Sequence, residues 1–392
     1  MYKVLYFLFF LSFLNTGCAE KAPLSGHILV DDDDWSPVVY LIQPARLDEV
    51  AASFVGQVID SAVVDSNGNF AFHQLPNAPE PILLELAVQK KGERYLNRLN
   101  NENLASANYF PIIWKNGYQL EVNAEASQFQ NSFTIINPSP ENAALMALRD
   151  IRWNAFQAYL QHKNAEEHNE ENLLEEEAAH LNFQKAIIDF AQHTTHLLPA
   201  MVAIRWVSPQ NDYERIPEFL FAQCLKWKEV APDHPWVTAL CSKSSKEQLP
   251  VMKGDSLPDF SLPMLSGDTI SIAQLMGEQL TILDLWASWC APCRIENRKV
   301  LVPLWEKYHD SGFQIIGYAL DGSENAWKKS IEKDGAHRWL HASHLQGDDA
   351  PLMDALRLRT IPANFILDKN GVVLAKNLHG EALIQFVEEY MR

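Results

Sequence analysis

Apolar residues recur along this chain in three patterns. Between residues 24 and 136 they come in short runs, such as Val38 to Ile42, Leu83 to Val88 and Ile112 to Val122, interrupted by Ser66-Asn67-Gly68-Asn69 and Asn116-Gly117. Runs of strand length broken by Asn-Gly predict strands joined by hairpin turns, hence a small β-sandwich over 24–136. From 139 to 247 the spacing becomes helical. Pro140-Glu141-Asn142 opens a helix with Leu145, Leu148, Ile151 and Arg152 on one face, and Phe183, Ile187, Phe190 and Ala191 repeat the pattern. The acidic stretch Glu166 to Glu177 between them reads as an exposed loop. From 250 to 392 the two periods alternate. Apolar runs at 280–286 and 313–320 flank a segment with Leu301, Leu304, Trp305 and Tyr308 at helical spacing, as a parallel pair with a crossover requires. A helix is predicted around 324–334. Ala363 to Leu367 and Val372 to Ala375 then bracket the turn Asp368-Lys369-Asn370-Gly371, and Leu383, Phe386, Val387 and Tyr390 give a closing helix its apolar face.

Residues 1–18 stand apart. Met1 to Leu14 carries one lysine, Lys3, in a run rich in Leu, Phe and Tyr. That is too short for a spanning helix of about 20 residues and suits the core of an export signal. It ends at Leu14-Asn15-Thr16-Gly17-Cys18, which resembles a lipoprotein processing site after which Cys18 bears lipid; Asn15 departs from the apolar residue usual there. Ordinary cleavage or an uncleaved anchor are the alternatives. Each places the body outside the cytoplasm, in a bacterial envelope where disulfides form.

Composition bounds the partners. A chain of 392 residues has room for two or three domains, and its net charge of -18 argues against nucleic acid, whose phosphates call for clustered Lys and Arg. Asp31 to Asp34 lack the alternating ligands and distant Glu of an EF-hand loop and read as a solvated turn. His162, His168, His180, His193 and His196 form no ligand set, so no metal is expected.

Chemistry concentrates at Trp289-Cys290-Ala291-Pro292-Cys293-Arg294. A strand delivering Cys290 to the start of a helix sets its sulfur beside unpaired backbone N–H groups and the positive end of the helix dipole, which favours the nucleophilic thiolate. Cys293, one turn on, can attack a mixed disulfide formed on Cys290. Haem attachment would need His where Arg294 stands, and a structural zinc site would need a second ligand pair, which is not seen. Cys224 and Cys241 are either a disulfide or two isolated thiols.

Asp284-Leu285-Trp286-Ala287-Ser288-Trp289-Cys290-Ala291-Pro292-Cys293 resembles the active-site segment of thioredoxins, and Arg294-x-Glu296 resembles the exported thiol-disulfide oxidoreductases of the TlpA and ResA type. Gly254-Asp255-x-x-Pro258-Asp259-Phe260-x-Leu262 and Gly267 to Ile272 are similar to the opening of that branch, and Arg359-Thr360-Ile361-Pro362-Ala363-Asn364 resembles its cis-proline loop. The likeness runs over about 254 to 392. It implies a thioredoxin-like α/β fold, with Asp284 as the buried acid that exchanges a proton with the second sulfur, and Ile361-Pro362 as the loop that holds the partner's backbone. It also implies that Trp289, Ala291 and Pro292 belong to the docking surface. The β-rich part resembles the β-domain of unknown function that often precedes such domains. One departure concerns the active-site helix: relatives often carry a proline where Arg298 stands, and Pro303 comes instead, which moves the expected kink about one and a half turns along.

The sequence therefore reads as a multidomain protein: a signal segment at 1–18, a β-rich domain at 24–136, a helical region at 139–247 and a thioredoxin-like domain at 250–392. The expected function is an extracytoplasmic thiol-disulfide oxidoreductase, a reductant of partner-protein disulfides supplied by an upstream dithiol donor, with no cofactor beyond the Cys290–Cys293 pair. Oxidase or isomerase action, Cu(I) carriage by the thiols with His379, and an adaptor with auxiliary redox activity are the rivals. A peroxide-reducing enzyme would need a separate peroxidatic cysteine framed by threonine and proline, which is not seen.

Overall fold

The computed structural model describes residues 21–30, 34–52, 55–92, 102–161, 173–207, 214 and 216–392. Cys18 and the rest of the expected signal segment, Asp31 to Asp33, and Glu166 to Glu171 lie outside the described residues.

The upstream part holds strands β1 (Leu24–Leu29), β2 (Trp35–Gln43), β3 (Gln57–Val63), β4 (Asn69–Phe72), β5 (Ile82–Lys90), β6 (Tyr109–Trp114), β7 (Leu120–Glu125) and β8 (Thr134–Ile136). They form two four-stranded sheets, ordered β4-β1-β7-β8 and β3-β2-β5-β6. Both Asn-Gly turns exist, with Gly68 and Gly117 at positive φ, but neither closes a hairpin. β3 pairs with β2 while β4 pairs with β1, and β6 pairs with β5 while β7 pairs with β1 and β8. Each turn carries the chain from one sheet to the other. Asp65 fixes the first by accepting the Asn67 and Asn69 amides at 2.8 Å. Turn chemistry is the same at a hairpin and at a corner, so the local residues do not distinguish them.

Helices follow: α1 (Phe129–Ser132), α2 (Pro140–Tyr159), α3 (Leu173–His193), α4 (Leu197–Val207), α5 (Pro217–Val230) and α6 (Pro235–Lys243). α2 starts where the sequence predicts, with Ser139 capping the Asn142 amide and Pro140 in the first turn. α3 begins at Leu173, so Glu175 and Glu176 lie in its first turn, where acids complement the dipole, rather than in the loop the sequence suggests. One apolar cluster from Leu24 to Leu240 joins sheets and helices. Cys224 and Cys241 are bridged, tying α5 to α6.

A second cluster, Val251 to Val387, fills the C-terminal domain. β9 (Ser261–Pro263) and β10 (Thr269–Ser271) form a small antiparallel pair. The main sheet contains β11 (Leu280–Trp286), β12 (Phe313–Ala319), β13 (Leu340–Ala342), β14 (Ala363–Asp368) and β15 (Val373–Lys376), ordered β13-β12-β11-β14-β15. β11 is buried along its whole length because it is central, parallel to β12 and antiparallel to β14. The helices are α7 (Ala291–Glu296), α8 (Val302–Tyr308), α9 (Glu324–Asp334), α10 (Pro351–Leu356) and α11 (Gly380–Tyr390). This is the mixed sheet flanked by helices that the alternating pattern predicts, in the thioredoxin-like arrangement that the resemblance implies.

The active-site helix deviates as Pro303 demands. Between α7 and α8 the backbone makes a π turn over Asn297–Leu301, with the Val302 N–H reaching back five residues to the Asn297 carbonyl. Proline has no N–H, and its ring crowds the carbonyl four residues before it. One wider turn ahead of Pro303 absorbs that conflict without breaking the helix.

Candidate active site

The sheet register brings two separate sequence motifs to one end of β11. Leu285 pairs with Ala363, the first residue of β14, so Pro362 lies just beyond the pairing and opposite the loop Ala287-Ser288-Trp289 that leads to the dithiol. The Ile361–Pro362 peptide bond is cis. Cys290 caps α7, and its sulfur accepts the Cys293 amide at 3.3 Å. A sulfur so placed takes a backbone donor at a helix start, which stabilises negative charge once the bond to Cys293 opens. Cys290 and Cys293 are joined as a disulfide and are 5% and 2% exposed. Ala291 and Pro292 fill the first two helical positions, where the proline's missing N–H has no intrahelical partner to lose. Trp289 is 61% exposed beside these buried sulfurs, an apolar surface turned to solvent.

Asp284 sits in the middle of β11, 4% exposed, paired across to Gly317 and Asn364. Burial first, and the neighbouring Glu296 second, push its carboxyl well above the usual carboxylate range, while His379 acts in the opposite sense. Glu296 and His379 are themselves a buried pair, with His379 Nδ1 2.9 Å from Glu296 Oε2, and Glu296 Oε1 accepts the Gly380 amide at 3.3 Å. The sequence places Glu296 in the resemblance and offers His379 as a possible copper ligand, but does not pair them. Its one usable signal was spacing: Glu296 follows Cys293 by three residues, one turn along the same helix face.

The loop before Cys290 is held in part by Asp321 and Asp334, which nothing in the sequence pattern singles out. Asp321, two residues past β12, accepts the Ser288 amide at 2.9 Å and the Ser288 hydroxyl. Arg294 donates to the Ser288 carbonyl at 3.1 Å and pairs with Asp334 of α9, which also accepts from Arg298 at 2.9 Å. Arg298 therefore contributes to fixing the helix. Among the described residues no group of three His, Cys, Asp or Glu side chains is arranged to hold a metal ion, and no helix is long and apolar enough to cross a membrane.

A disulfide-bonded pair at a helix start, a buried acid on the preceding strand and a cis-proline at the same sheet end make an arrangement chemically suited to disulfide exchange. Known proteins agree on the class. The AhpC/TSA family profile matches residues 253–376. The thiol-disulfide oxidoreductase ResA of Oceanobacillus iheyensis is 24% identical over 159 residues, spanning 40% of this chain and 79% of that protein. The thiol:disulfide interchange protein DsbE of Pseudomonas fluorescens biotype C is 29% identical over 132 residues, 32% of this chain and 66% of that protein. Among solved structures, a thiol-disulfide oxidoreductase from Bacteroides fragilis is 31% identical, covering 34% of this chain and 98% of its own, with a TM-score of 0.32.

Proposed function

From the premise that this chain belongs, through its C-terminal domain, to the thioredoxin-like thiol-disulfide oxidoreductases, we propose that it reduces disulfides of partner proteins in the bacterial envelope. The observation that carries the reading is the Cys290–Cys293 pair at the start of α7 with the buried Asp284 behind it.

The exchange balances as follows. The Cys290 thiolate attacks one sulfur of a partner disulfide; that S–S bond breaks, and the leaving thiolate takes a proton from solvent. The Cys293 thiol gives its proton to the Asp284 carboxylate and attacks Cys290. The mixed disulfide then opens, the Cys290–Cys293 bond forms, and the second partner thiolate leaves and is protonated. Two electrons pass to the partner. A raised pKa suits Asp284 to accept and return that proton near neutral pH. An upstream dithiol of lower potential returns the pair to its reduced form.

The envelope location rests on the signal-like residues 1–18 and the Gly17-Cys18 junction. The Cys224–Cys241 bridge, which an oxidising compartment maintains, supports it. Reduction is favoured over oxidation by the ResA-like resemblance. The test is insulin reduction with a dithiol donor: the full-length protein is expected to turn over, and Cys290→Ser or Cys293→Ser retaining full turnover would sink the mechanism.

A further inference from the structure

The loop that ends at Pro362 is held from outside its own domain. It runs from Arg357, after α10, to Ala363, where β14 begins, so Arg359 and Thr360 belong to neither element. Glu214, between α4 and α5, engages both: its Oε2 accepts the Arg359 amide at 2.7 Å and the Thr360 hydroxyl at 3.3 Å. These are the two residues immediately before Ile361. Glu214 and Pro362 also line the same small opening, so the contact reaches the proline itself. The rest of this seam is bonded elsewhere. Glu218 of α5 accepts the Lys253 amide at 2.9 Å and stands 3.5 Å from Lys376 Nζ, while Lys376 donates to the Val251 carbonyl at 3.0 Å. Arg357 donates to the Leu249 carbonyl at 2.7 Å. Of these bonds, those of Glu214 alone fall on the residues next to Ile361.

We propose that Glu214 is a positioning residue for disulfide exchange: its carboxylate sets the Ile361–Pro362 loop in the form that receives a partner's backbone. The inference rests on the reading of Cys290–Cys293 as a disulfide-exchanging pair. Cys290 is 5% exposed, so a partner's sulfur reaches it only when the partner's chain is aligned beside the dithiol. A loop free to sample several conformations loses that freedom on binding, whereas a loop already held does not. A carboxylate suits the task because it accepts several donors at once, here a backbone N–H and a hydroxyl, and an ionised acceptor makes the stronger hydrogen bonds. The helical region is then part of the redox site. It supplies no atom to the exchange and acts through the loop. Because the loop meets the partner before and during the exchange alike, loosening it weakens binding and spares the chemical step, so KM rises while kcat holds.

The experiment measures insulin reduction by the full-length protein with a dithiol donor, varying insulin so that KM and kcat are separated. Glu214→Ala is expected to raise KM about fivefold, the scale of one net hydrogen bond, with kcat changed less than about twofold. Glu214→Gln keeps an oxygen that accepts both donors and is expected to return KM to within about twofold of wild type. Glu218→Ala breaks the seam away from the loop and is expected to leave KM at the wild-type value. Amide hydrogen exchange at Arg359 should accelerate in Glu214→Ala and not in Glu218→Ala. Unchanged KM or unchanged Arg359 exchange in Glu214→Ala would overturn the positioning role while leaving the redox reading intact. So would Glu214→Gln as impaired as Glu214→Ala, or Glu218→Ala raising KM as far, since the loss would then belong to charge or to the seam as a whole. Wild type failing to reduce insulin would instead remove the redox reading on which the role depends.

Discussion

Glu296 Oε2 and His379 Nδ1 meet at 2.9 Å inside the domain, and the carboxyl of Asp284 experiences both groups. Glu296 comes from the helix that carries the dithiol and His379 from the residue that precedes α11. The acid of β11 is therefore surrounded by charge chosen elsewhere in the chain. Replacing Asp284 by Asn keeps the shape and removes the proton acceptor. Resolution of the mixed disulfide is expected to slow by about 100-fold at neutral pH, the usual scale of a lost acid–base group. Quenched-flow alkylation of the Cys290-linked intermediate measures this; an unchanged lifetime would show that solvent takes the Cys293 proton.

Two buried groups should bend the pH dependence of stability in opposite directions. Asp284 has a folded pKa raised above its unfolded value, so its contribution is fully present below the unfolded pKa and is lost as pH rises through the folded one. His341 is the reverse. Burial pushes it down to about 4; its Nε2 lies 2.7 Å from the Ala336 carbonyl, and Nδ1 has no hydrogen-bond partner among the described residues. Its contribution is present above pH 6.5 and lost as pH falls toward 4. Each slope is about 1.4 kcal/mol per pH unit within its window, so in the interval above pH 4 where the two windows overlap the two groups oppose each other in wild type. Urea titrations of Asp284→Asn should then show stability rising with pH across that interval, and His341→Gln should show it falling.

The ion pairs around Asp334 predict a structural phenotype with a functional consequence. Its side chain is fully buried while Arg294 and Arg298 are partly exposed. Asp334→Ala should destabilise the protein by roughly 2 kcal/mol, below the 3–5 kcal/mol of a fully buried pair, because water screens the guanidiniums left behind. Freed from Asp334, Arg294 holds the Ser288 carbonyl less firmly. Amide hydrogen exchange at Trp289 and Cys290 should accelerate, and a protected loop in this variant would mean that Asp321 alone fixes it.

How much of this was legible in the sequence follows from how far each determinant reaches. The central strands, α9 and the hairpin at Asp368 to Gly371 depend on local periodicity and turn chemistry, and they stand where the pattern placed them. Asp284 and Pro362 carried recognisable neighbours. Asp65 to Asn69 did not reveal that their flanking strands enter different sheets, since a corner and a hairpin ask for the same residues. Glu214 gave no local signal: its carboxylate accepts the Arg359 amide, 145 residues away in the chain, so the contact depends on how the upstream part packs against the C-terminal domain.

The upstream bridge gives a prediction independent of catalysis. Cys224 and Cys241 close a loop of sequence separation 17, which corresponds to about 3 kcal/mol in the chain-entropy account. Cys224→Ser with Cys241→Ser should lower stability by that amount in denaturant titration and leave the Cys290–Cys293 pair able to exchange. Loss of exchange in the double variant would assign the second pair a part in electron transfer.

The claim that Cys290 and Cys293 pass two electrons to a partner disulfide is tested most directly by acid-quenched alkylation and peptide mass mapping after the reduced protein meets one equivalent of a protein disulfide. The account predicts that Cys290 and Cys293 become oxidised together, with one partner disulfide converted to two thiols. Cys290 and Cys293 remaining alkylatable while the partner is reduced would contradict it.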